Sequence, residues 1–139
     1  MAKQKTAVIV GVTSQDGSYL AELLLSKGYK VVGTIRRTTS MVHENIEHLK
    51  GKIILETADL IDPESLNKVM IAHQPDEVYN IASQSVPGDA WTHPFYTGEV
   101  TALGPVRVQS LRYRQGLCSH DGRLLPPVLR YVRLCRYSF

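Results

Sequence analysis

The chain has 139 residues, 43% of them hydrophobic and 21% charged, with a formal net charge of +3. That is enough sequence for one modest domain, and the balance excludes a disordered, collagenous or coiled-coil chain. No apolar run approaches the roughly 18 residues of a membrane span, and residues 1–5 are not followed by the apolar stretch of a signal peptide, so a soluble, cytoplasmic protein without a membrane partner is expected.

Residues 7–10 form a short apolar run that ends at Gly11, followed by a polar turn from Thr13 to Gly17 and by Leu20, Leu23 and Leu24 at helical spacing. This is the order strand, turn, helix. Gly28 suits the left-handed position that ends a helix, and residues 29–35 give a second apolar run containing Val31, Val32 and Ile35. A third run, residues 53–55, precedes Asp59. Asp62 before Pro63 predicts a helix start, because the carboxylate accepts from first-turn amides and proline fits the first helical position, where no donor is required. Leu66, Val69 and Met70 supply that helix's apolar face, residues 77–82 read as a fourth strand, and Pro94 onward through Val100, Leu103 and Val106 as another helix. Strands alternating with helices predict an α/β fold, a doubly wound parallel sheet of about four strands.

The composition changes near Arg107. Residues 1–107 hold ten of the sixteen basic and twelve of the thirteen acidic residues, net −2, whereas residues 108–139 hold six arginines and one aspartate, net +5, with no Lys or Glu. This tail also carries both cysteines, Cys118 and Cys135, and the Pro126-Pro127 pair. Neither cysteine has a Cys or His at zinc spacing, so a reducing compartment and no structural metal are expected. Tyr113, Tyr131 and Tyr137 lie among the arginines, but no RNA-binding or zinc-finger pattern accompanies them, and nucleic acid is not the expected partner. Two readings of the tail stay open: a genuine basic surface strip, or a translation in a shifted reading frame, which the loss of helical periodicity and the switch from Lys to Arg favour.

Gly11-Val12-Thr13-Ser14-Gln15-Asp16-Gly17 places glycines where a chain leaving a strand turns sharply and where a helix approaches the sheet closely. Amides at such a helix start, with the helix dipole, cradle a pyrophosphate. Ser14 stands where a related pattern has its middle glycine, and its side chain either crowds the phosphate or lends it a hydroxyl. The second strand ends in Ile35-Arg36-Arg37 and not in the Asp or Glu that holds an adenine ribose 2′-hydroxyl. Two guanidinium groups in place of that carboxylate favour NADP over NAD.

The strings GVTSQDGSYLAELL at 11–24, IRRTTS at 35–40 and IEHL at 46–49 closely resemble the GDP-mannose 4,6-dehydratase family of extended short-chain dehydrogenases/reductases. Ala58-Asp59-Leu60, Tyr79-Asn80-Ile81-Ala82-Ser83-Gln84-Ser85, and Phe95-Tyr96-Thr97 leading into residues 100–104 extend the resemblance, which covers residues 6–107. It implies an NADP-binding Rossmann fold. It further implies cofactor contacts at the pyrophosphate from Gly11, Val12, Thr13, Ser14, Gln15, Asp16 and Gly17, at the 2′-phosphate from Ile35, Arg36, Arg37 and Thr38, and at the adenine from Asp59 and Leu60. Ile81, Ala82, Ser83, Gln84, Ser85 and Tyr96 are implied nearer the nicotinamide half. The bland alternatives are that Asp59 caps a turn, that Gln84 and Ser85 satisfy loop backbone, and that Tyr96 is a core aromatic with a wet hydroxyl.

Family members, by this resemblance, use NADP to take hydride from carbon 4 of GDP-mannose, eliminate water across carbons 5 and 6, and return the hydride to carbon 6, as dimers or tetramers. The reaction needs a Tyr-x-x-x-Lys pair, a Ser or Thr, and a Glu as acid and base. None is placed here: Ser83 follows Tyr79 at that spacing, Leu117 follows Tyr113, and Cys135 follows Tyr131. Residues 1–107 therefore read as the N-terminal part of an NADP-binding domain, predicted inactive, whose fourth strand has lost its next neighbour. The alternatives are another NADP-dependent nucleotide-sugar epimerase or reductase, or a non-catalytic NADP-binding module with a basic tail.

Overall fold

The computed structural model describes residues 4–36, 44–82, 91–103 and 130–133. Among them are strands β1 (Thr6–Val10), β2 (Lys30–Ile35), β3 (Ile54–Thr57), β4 (Glu77–Asn80) and β5 (Arg130–Arg133). Helices α1 (Gln15–Ser26), α2 (Pro63–His73) and α3 (Pro94–Gly98) connect them, with a 3₁₀ helix at Glu44–Leu49 and a π turn at Glu99–Leu103. The strands form one parallel sheet in the order β3-β2-β1-β4-β5, as the alternation of strands and helices requires.

Successive side chains of a strand point to opposite faces, so a sheet covered on both sides buries consecutive apolar residues. Val8 and Val10 of β1 and Val32 of β2 pack with Leu66, Val69 and Met70 of α2 on one face. Ala7, Ile9 and Val31 pack on the other with Ala21 and Leu24 of α1 and with Ile46 and Leu49. Asp62 caps α2 as its sequence predicts, accepting from the Glu64 and Ser65 amides at 3.1 and 3.3 Å, with Pro63 in the first turn. Gly28, at φ +79°, follows the last turn of α1.

Three expectations differ from the structure. Leu23 is 50% exposed: the buried stripe of α1 is Gly17, Ser18, Ala21 and Leu24, and a residue two positions from Ala21 lies about 200° around the helix from it. The last helix is not continuous, since α3 gives way to a π turn at Glu99; Gly98, a weak helix former, sits at the junction, and Val100 beyond it is buried. Val106 lies outside the described residues. The third correction concerns the open edge: Arg130–Arg133 pairs with β4 in parallel, Glu77 opposite Arg130 and Asn80 opposite Arg133, so β4 has a backbone partner from the tail.

The amino-terminal end of the sheet is tied by one buried carboxylate. Glu77, 7% exposed, accepts from the Tyr79 hydroxyl at 2.7 Å and from the Tyr29 hydroxyl at 3.2 Å, with Lys5 Nζ at 3.6 Å. These groups come from the ends of β1, β2 and β4, and Asp76 adds a bond from the Thr6 amide at 2.8 Å. Burial alone pushes the Glu77 carboxyl up, but the Tyr79 and Tyr29 hydrogen bonds and the Lys5 charge outweigh it and hold it below the usual glutamate value. A lowered native pKa means the stabilisation is fully present above the ordinary glutamate value of about 4.3 and is lost as pH falls through the native value. Urea unfolding at stepped pH is expected to show that acid-side loss in the native chain and a flatter profile in Glu77→Gln; identical profiles would contradict the network.

Candidate functional site

The carboxyl ends of the strands carry the glycine turn. Gly11 leaves β1 at φ +90°, a conformation that L side chains rarely adopt, and a Cβ there would lie 2.9 Å from the Ala82 nitrogen. Gly17 lies so close beneath the turn that a Cβ would meet the Gly11 carbonyl oxygen at 2.6 Å and Val12 at 2.8 Å. Both glycines are thus required by space, one for the turn and one for the approach of α1.

Ser14 is the N-cap of α1. Its Oγ accepts from the Gly17 amide at 3.1 Å and donates to the Gly11 carbonyl at 2.9 Å. Of the two roles the sequence leaves open for Ser14, neither is its first use: the hydroxyl's proton is committed inside the turn. Val12 is buried, Thr13 half-buried, and Gln15 and Asp16 are exposed in the first turn, where amides have no partner within the helix. Asp16 there is also on the favourable side of the helix dipole.

Ile35 is half-buried at the end of β2, and its carbonyl accepts from the Ala58 amide at 3.0 Å. Arg36 follows, exposed, and its Nη1 donates to the Tyr96 hydroxyl. The resemblance assigns Arg36 and Tyr96 to opposite halves of a dinucleotide, whereas the fold brings their side chains into contact. Ile81 extends the β4–β1 ladder with a bond to the Val10 carbonyl at 3.1 Å, and Ala82 closes over Gly11. Arg37, Thr38, Ser83, Gln84 and Ser85 lie outside the described residues.

Asp59 caps a turn: its Oδ1 accepts from the Ile61 amide at 3.1 Å and its own amide donates to Ser65 Oγ at 3.1 Å. Leu60 is buried beside α2, and its side chain is a core group. Asp59 also lines an open recess of about 540 Å³ with Glu56, Asp62, Ser65 and Lys68; no residue of the glycine turn lines it.

Sequence reasoning missed three residues that shape this end. Gly33 in mid-strand β2 faces Val12, where a Cβ would meet Val12 Cγ1 at 2.5 Å; a glycine inside an apolar strand is the available signal for such a close approach. Asn45 donates to the Thr13 carbonyl at 2.9 Å, and the buried Asn80 accepts from the Ala82 amide at 3.2 Å. Neither has a local signal, since each partner is defined by the fold. Among the described residues no cluster of His, Cys, Asp or Glu is placed to hold a metal, and no helix is long and apolar enough to cross a membrane.

A parallel sheet whose order reverses beside β1, with a glycine turn at the carboxyl end of that strand opening onto a helix N-terminus, defines a Rossmann-type α/β fold. The epimerase of Methanothermobacter thermautotrophicus shares this fold at a TM-score of 0.70 and 24% identity, over 82% of this chain and 33% of that one. The Bordetella bronchiseptica enzyme WbmH, solved in complex with NAD+, is similar at a TM-score of 0.64 and 28% identity, over 81% and 36%. A family model described as GDP-mannose 4,6 dehydratase matches residues 8–118. GDP-mannose 4,6 dehydratase 2 of Caenorhabditis elegans is 44% identical over 76% of this chain, and GDP-mannose 4,6-dehydratase of Vibrio cholerae is 41% identical over 76%. The chain belongs to the GDP-mannose 4,6-dehydratase family. It spans about 30% of the length of these curated relatives.

The cap assigns Ser14 a structural role with a measurable size. Ser14→Ala is expected to cost about 1 kcal/mol in urea unfolding and Ser14→Gly only a few tenths, roughly, because glycine is tolerated at N-caps and alanine is not. Equal stability of Ser14→Ala and the native chain would remove the cap.

Proposed function

We propose that the chain is the NADP-binding part of a GDP-mannose 4,6-dehydratase, able to hold the cofactor and unable by itself to convert the sugar. The observation that carries this reading is Arg36, an exposed guanidinium at the carboxyl end of β2 where an acidic residue would select an unphosphorylated ribose. No ion pair among the described residues engages it, so its charge is available to a 2′-phosphate.

The glycine turn fits the rest of the cofactor. With no Cβ at Gly11 or Gly17, backbone closes tightly around the start of α1, and the first-turn amides of Gln15 and Asp16 are left to point at pyrophosphate oxygens. Ser14 and Asn45 hold the turn in that shape through Gly11, Gly17 and Thr13. When bound, NADP supplies a hydride acceptor and donor for carbons 4 and 6 of GDP-mannose. The acid and base that the sugar chemistry needs have no counterpart in the 139 residues, where no tyrosine is followed four positions later by lysine. Identity above 40% to dehydratases favours this family's substrate over that of the epimerases, which share the fold at lower identity.

Calorimetric titration is expected to give tighter binding of NADPH than of NADH, and incubation with GDP-mannose and NADP is expected to give no 4-keto-6-deoxy sugar above a mock preparation. Equal affinities overturn the NADP reading, and turnover overturns the inactivity.

A second reading, a non-catalytic NADP-binding module with a basic tail, is favoured by β5, since the tail supplies a neighbour for β4. Deleting residues 108–139 is then expected to lower the urea midpoint and promote association through the bared β4 edge. An unchanged midpoint in a monomeric deletion variant counts against it.

A further inference from the structure

Tyr96 and Arg36 meet although they lie 60 residues apart and on different elements. The tyrosine is the fixed partner. Pro94 sits in the first turn of α3, and the amide and hydroxyl of Thr97 bond to the His93 carbonyl at 3.0 and 3.1 Å, so the turn that carries Tyr96 is closed on itself. Its ring packs against the apolar cluster that includes Val10, Val32, Leu60 and Val100. Arg36, by contrast, is exposed just past the last residue of β2.

A free arginine side chain carries about 2 kcal/mol of rotamer entropy, part of which must be given up whenever it grips a ligand. A fixed acceptor that holds the guanidinium in place removes that cost in advance. A carboxylate at the same point would also hold it, but would neutralise it and compete with an incoming phosphate. A neutral phenol hydroxyl holds the guanidinium through one of its five donors and leaves both the charge and the remaining donors for the ligand.

We propose that Tyr96 is a positioning residue for Arg36 and thereby a determinant of selectivity for ligands bearing a ribose 2′-phosphate. This moves Tyr96 from the nicotinamide end of the cofactor to the adenosine end. The inference rests on the proposal that the chain binds NADP, and the test separates the two.

The full chain and the variants Tyr96→Phe, Arg36→Ala and Tyr96→Phe/Arg36→Ala are titrated calorimetrically with NADPH, NADH, adenosine 2′,5′-bisphosphate and 5′-AMP. Tyr96→Phe keeps the packed ring and removes one oxygen, and a thermal melt like that of the native chain checks the fold. The expected result is a loss of roughly five-fold in affinity for the two 2′-phosphorylated ligands, the scale of one hydrogen bond, with NADH and 5′-AMP unchanged. In the Arg36→Ala background the same substitution is expected to change nothing, because Tyr96 acts through Arg36. Unchanged NADPH affinity in Tyr96→Phe, or an equal fall for NADPH and NADH, overturns the role of Tyr96 while leaving the NADP reading standing. A native chain that binds both cofactors equally, or neither, overturns both.

Discussion

Where the chain leaves β1 there is no room for side-chain carbons, and much of the molecule is arranged around that shortage. Gly11 runs against Ala82, Gly17 against the Gly11 carbonyl and Val12, and Gly33 against the Val12 side chain. The three glycines belong to the strand exit, the first turn of α1 and the middle of β2, so the spacing of β1, β2, β4 and α1 is decided by contacts at one point. A methyl group at any of these positions would force backbone or a branched side chain to move, and at Gly11 the left-handed conformation adds strain of its own. The same tightness leaves the first-turn amides of α1 bare of side-chain bulk, the feature on which the proposed pyrophosphate contact rests.

The two ends of the sheet divide the work. At the amino end Lys5, Tyr29, Tyr79 and Glu77 form a closed polar cluster around a buried carboxylate, each of whose oxygens accepts a hydrogen bond from inside the protein. At the carboxyl end the groups are oriented and still available: Arg36 has donors beyond the one Tyr96 accepts, and the first turn of α1 has amides beyond the one Ser14 caps. The closed network ties the strands together and the open donors stay at the surface, and the parallel direction of the strands puts them at opposite ends.

Much of this was legible in the chain itself. Asp62-Pro63 marked the start of α2, Gly28 the end of α1, and residues 11–17 the turn, because capping and left-handed turns depend on residues within a few positions of one another. The family strings were equally local, and the match to residues 8–118 agrees with them and runs eleven residues past the change in composition near Arg107. Less legible were Leu23, which has the right residue type and the wrong side of the helix, and β5, whose four residues lie in a segment with no strand periodicity to announce it.

By itself, then, the sequence determined the alternation of strands and helices, the glycine turn, the basic end of β2 and the family, all of them properties of neighbouring residues. The tertiary structure decided which of these groups meet: that Ser14 is consumed as a cap, that Asn45 holds Thr13, that Gly33 receives Val12, and that Tyr96 reaches Arg36 across 60 residues. Such pairings depend on the order in which strands lie side by side, and strand order is set by packing both faces of the sheet at once, which no local run of residues encodes.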